Sequence, residues 1–79
     1  MTLRAMLVAL TKEHRPDLSL GQCELVAMQA VGIVFPAGTN LLDTSLTIEE
    51  QNHLRRVYVK QFKNGKACKK LLASVISQN

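Results

Sequence analysis

Residues 47–77 read TIEEQNHLRRVYVKQFKNGKACKKLLASVIS, and this stretch decides the fold class. It opens on Thr47-Ile-Glu-Glu50, in which a Thr side chain and a Glu three residues later can satisfy each other's free backbone amides. That is a capping box, a helix start. Leu54, Val57, Tyr58 and Phe62 then supply one apolar side, which predicts a helix over about 48–63. Glu49 and Glu50 stand in its first turn and Lys60 and Lys63 in its last, the order the helix dipole favours. Asn64-Gly65 is a tight break. Beyond it Cys68, Leu71, Leu72, Val75 and Ile76 recur at i, i+3, i+4, i+7, i+8, a second amphipathic helix over about 66–77.

Upstream the period is again helical. Thr2 caps a helix over about 3–14, with Leu3, Met6, Leu7 and Leu10 on one stripe, and Arg15-Pro16 ends it. Ser19-Leu-Gly-Gln22 is another capping box. The helix it opens, about 20–31, is apolar nearly all round, as a central helix should be. Gly32 reads as a left-handed stop. Ile33-Val34-Phe35 has strand-like composition, but no second strand is evident to pair with it. Pro36-Ala-Gly38 reads as a turn, and Asn40–Asp43 as one helical turn. The expected architecture is all-α: one domain over 1–79, four short helices or five, and a long loop at about 33–46. Phe35 and one of Leu41 and Leu42 should pin that loop to the core. Exposed instead, Phe35, Leu41 and Leu42 would mark a protein-contact loop.

At 79 residues the chain buries only about 60% of its unfolded surface, too little for a sizeable enclosed active site. Apolar residues are 47% of it, which excludes a disordered chain. Cys23 and Cys68 sit among apolar residues and read as buried, reduced thiols in a cytoplasmic protein. No signal peptide is read at the start. Leu25–Leu42 is uncharged, but Gln29, Gly32, Pro36, Gly38, Thr39 and Asn40 interrupt it, so no membrane span is expected. His14, His53 and the two cysteines lack the spacing of a metal site. Cys68 lies near lysines that would activate an exposed thiol, yet it falls on an apolar stripe. No catalytic constellation and no cofactor motif is found, so the expected function is not enzymatic.

The net charge of +4 hides an asymmetry. Residues 1–50 hold three basic and six acidic side chains, a net −3, and residues 51–79 hold seven basic and no acidic ones, a net +7. The seven are Arg55, Arg56, Lys60, Lys63, Lys66, Lys69 and Lys70. At 100° per residue, Arg56, Lys60 and Lys63 fall within about 60° of one another. Lys66, Lys69 and Lys70 fall within about 100°, opposite the apolar stripe. Packed antiparallel, the two helices would merge these faces into one. The bland reading is a solvated face. The functional reading is nucleic acid held mainly through phosphates, the protein acting as a small regulator. Lys66-Ala-Cys-Lys-Lys offers no base-reading Arg, Asn or Gln for a helix-turn-helix. The alternative is an adaptor or inhibitor that docks its basic face on an acidic protein surface. A thin core can also be completed by a homodimer.

Overall fold

The computed structural model describes residues 1–35 and 40–77. Among them are four helices: α1 (Leu3–His14), α2 (Leu20–Val34), α3 (Ile48–Asn64) and α4 (Lys66–Ser77). The all-α bundle expected from the sequence is the fold observed. The starts of α1, α2 and α3 follow from their caps. Thr2 Oγ1 accepts from Ala5 N at 3.2 Å. Ser19 with Gln22, and Thr47 with Glu50, form complete capping boxes.

α2 ends differently from expectation. It runs through Gly32 to Val34, and no glycine among the described residues has positive φ. The inward stripe Cys23, Val26, Ala27, Ala30, Val31 continues to Val34, which packs against the core. Gly32 lies on the exposed face, where its absent side chain costs packing nothing. The strand propensity of Ile33 and Val34 yields to this helical burial pattern. The stop comes from Pro36: Phe35, the residue before it, is the C-cap at φ −136°, ψ 80°, outside the helical region that a following proline disfavours.

The connecting loop therefore begins at Phe35. The expected Pro36-Ala-Gly38 turn lies outside the described residues; within them there is no fifth α-helix, and Asn40 alone is in 3-10 helical conformation. Thr44 N donates to Leu41 O at 3.0 Å and closes one turn. Phe35, Leu42 and Leu46 are half-buried against the core, while Leu41 is 50% exposed. The loop is also stitched to the start of α1. Leu3 N donates to Thr44 O (3.1 Å), Arg4 N to Leu42 O (2.8 Å) and Leu46 N to Met1 O (2.9 Å). Thr2 and Ser45 form an isolated antiparallel bridge. First-turn amides of α1, which have no partner within the helix, are thus satisfied by loop carbonyls. Arg4 Nε adds an ion pair to Asp43 at 3.2 Å.

α2 is the central helix and packs on all three others. Leu7, Cys23, Val26, Val31, Tyr58 and Val75 are among the side chains closed to solvent. Tyr58 meets Phe62 edge-on, with ring centroids 4.5 Å apart. Cys23 and Cys68 are free thiols, and burial pushes the pKa of both up. Among the described residues, no helix is long and apolar enough to cross a membrane.

α3 passes into α4 through one residue, Gly65, at φ −78°, ψ 123°. Its N–H donates to Gln61 O at 2.7 Å, and its carbonyl accepts from Lys69 N at 3.1 Å. A Cβ here would lie 2.6 Å from Gln61 O, so glycine is needed for the close approach. One residue is shorter than the two to five that join an antiparallel helical hairpin. α4 accordingly lies more on α2 than on α3. The two helices meet at a one-residue bend rather than through the longer antiparallel turn the sequence had suggested.

Candidate nucleic-acid interface

Leu54, Tyr58 and Phe62 fix which way α3 faces. With these three inward, a 100° step per residue turns Arg56, Lys60 and Lys63 directly outward. All three are exposed. Together with Arg55, Val59, Asn64 and Glu13 of α1 they line an open groove of about 510 Å³. On α4 the inward set Cys68, Leu71, Leu72 and Val75 turns Lys66, Lys69 and Lys70 to solvent. These three stand beyond the Gly65 bend and line no part of the groove. The seven predicted residues thus divide into a groove set of four and an α4 set of three.

Their pairing is unequal. Arg55 Nη1 donates to both Glu13 carboxylate oxygens at 3.1 Å. The other ion pairs among the described residues are Arg4–Asp43 and Arg15–Asp17. Arg56, Lys60, Lys63, Lys66, Lys69 and Lys70 therefore have no acidic partner among the described residues. Six like charges left unneutralised on two consecutive helices form a strong local positive field. Glu13 is the one charged groove residue, among the described residues, that the sequence did not flag. It lies 42 positions from Arg55, with no local pattern linking them.

The arrangement favours contact with phosphate over readout of bases. Tyr58 and Phe62, two of the chain's three aromatic residues, are buried and offer no stacking platform. The joint at Gly65 is shorter than the three- to four-residue turn of a helix-turn-helix, so α3–α4 does not have that motif's geometry. Cys68 is fully buried with a raised pKa, the opposite of an activated nucleophile. Among the described residues, no three His, Cys, Asp or Glu side chains gather as a metal site. The protein-contact loop is also reduced. Phe35 and Leu42 fold onto the core and leave Leu41 exposed.

A second groove, of about 720 Å³, runs along α1 and the start of α2. Ala5, Val8, Ala9 and Leu20 give it apolar walls, with both signs of charge around them (Arg4 and Lys12, Glu13 and Glu24). Its mixed charge makes it a poor polyanion site. No protein family, curated protein or solved structure matches the chain.

Proposed function

We propose that this protein is a non-enzymatic helical module that binds nucleic acid through its phosphates, as a small regulator in the cytoplasm. The observation that carries the reading is the set of six exposed basic side chains without acidic partners among the described residues, Arg56, Lys60, Lys63, Lys66, Lys69 and Lys70. Lysine is a point charge suited to phosphate rather than to a particular base. The buried free thiols fit a reducing compartment. An acidic protein surface would also complement this charge. Nucleic acid is preferred because protein interfaces need an apolar or aromatic anchor at their centre. Among the described residues, Val59 is the only large apolar side chain in the groove lining, and the well-exposed Leu20, Leu41 and Ile48 lie outside it.

The test is a fluorescence-anisotropy titration with duplex DNA, single-stranded DNA and duplex RNA. If all six charges reach phosphates on duplex DNA, affinity falls roughly a thousandfold between about 50 and about 200 mM salt. Reversing Lys60 and Lys63 to Glu lowers both the affinity and the salt slope. No binding to any of the three at low salt overturns the reading. Capture of an acidic protein that this charge reversal abolishes would then support the adaptor instead.

A further inference from the structure

The basic groove contains one acid. Glu13 projects from α1 into a lining otherwise made of Arg55, Arg56, Lys60, Lys63, Val59 and Asn64. Its carboxylate holds Arg55 through two 3.1 Å contacts. The pair is open to water: the Arg55 side chain is 49% exposed and that of Glu13 64%. Ion pairs this exposed are weak and exchange readily. Both contacts to Glu13 come from one nitrogen, Nη1, and the same guanidinium is also a strong binder of phosphate oxygens. A phosphate entering the groove and the Glu13 carboxylate therefore compete for one guanidinium.

We infer that Glu13 is an internal competitor that lowers the affinity of the groove by occupying Arg55 and withholding it from phosphate. The inference rests on the nucleic-acid reading above and adds a residue to it. Glu13 acts through Arg55 and touches no base. With Arg55 so occupied, a bound polyanion makes one phosphate contact fewer than the basic residues of the groove could supply. The native groove is thereby held below the affinity its basic residues could reach. Moderate affinity of this kind lets a protein leave one site and sample others on a long polyanion, which tight phosphate contacts would slow.

The test is a gain of binding, which a misfolded variant cannot imitate. Wild type, E13Q, R55Q and E13Q/R55Q are titrated by anisotropy against a labelled DNA duplex of mixed sequence, at about 50 and about 200 mM salt. Circular dichroism checks that each variant is folded. E13Q should bind severalfold tighter than wild type at the lower salt. Its plot of log affinity against log salt should steepen by about 0.9, one added phosphate contact, so its advantage shrinks about threefold at the higher salt. In the R55Q background the Glu13 substitution should leave the slope unchanged. An E13Q slope equal to that of wild type overturns the inference while leaving the nucleic-acid reading intact. So does a steepening that persists without Arg55. Weaker binding of E13Q to cytosine-containing sites alone also overturns it, because the carboxylate would then be accepting from a base amino group. If wild type binds no duplex at either salt, both readings fall together.

Discussion

The hydroxyls of Thr11 and Tyr58 lie 2.7 Å apart at the centre of the bundle, both closed to solvent. The direction of their hydrogen bond can be worked out. Thr11 Oγ1 also contacts Leu7 O at 2.8 Å, and a carbonyl only accepts. The single threonine proton is committed there, so Tyr58 donates to Thr11. Burial, which raises the tyrosine pKa well above its ordinary value, keeps that proton in place at any physiological pH.

This direction makes the two single substitutions unequal. Thr11→Val strands a buried phenol proton and should cost about 1–3 kcal/mol of stability. Tyr58→Phe leaves the Thr11–Leu7 bond intact and should cost about 1 kcal/mol. The double variant should lose clearly less than the sum, because no unpaired donor remains. Urea unfolding of the four proteins measures the coupling. Strict additivity would mean the hydroxyls do not interact as described.

Gly65 offers a second test. A methyl group there would meet Gln61 O at 2.6 Å, so the helix end or the joint must shift. Gly65→Ala should destabilise the fold by about 1–3 kcal/mol, as other core strains do. An isolated exposed loop would instead gain slightly from losing a glycine. Thermal unfolding separates the two: an unchanged or raised midpoint refutes the steric account of the bend.

The dependence of stability on pH follows from two exposed carboxylates. The backbone N–H of Thr47, then its side chain, holds the Glu50 carboxyl below its ordinary value. A hydrogen bond from Arg15 does the same for Asp17. Both folded-state values lie below the unfolded ones, so the unfolded chain binds protons first as acid is added. Their contribution is complete above the ordinary carboxylate range, about pH 4–4.5, and is lost as pH falls through the lowered values. Between about pH 5 and about pH 3 the wild-type melting temperature should fall more steeply than that of D17N/E50Q. Parallel curves would show that these two contacts add nothing in solution.

How much of this was legible depended on the range of the signal. Thr2, Ser19 and Thr47 each mark a helix start by chemistry within four residues, and the observed starts follow them. The outward set Arg56, Lys60 and Lys63 was legible because one helical period fixes it. Gly32 misled because glycine can stop a helix or simply sit on its exposed side, and the burial of Val31 and Val34 decides which. The bend at Gly65 was missed for a related reason. Asn64-Gly65 announces a break without giving its length, and one connecting residue rather than three changes which faces adjoin. Arg4 with Leu42, and Glu13 with Arg55, were beyond reach. Only the assembled bundle brings residues about 40 positions apart into contact.

The loop carbonyls on α1 have an electrostatic consequence. The first turn of a helix is ordinarily an anion's easiest foothold, because its free amides form the positive pole. In α1 Leu42 and Thr44 plug that pole, and in α2 and α3 the Ser19 and Thr47 hydroxyls take up first-turn amides. A polyanion reaching this molecule therefore finds three of its four helix poles stoppered. Away from the start of α4, it must be drawn by side-chain charge. The salt sensitivity of binding then becomes a direct count of lysine and arginine contacts.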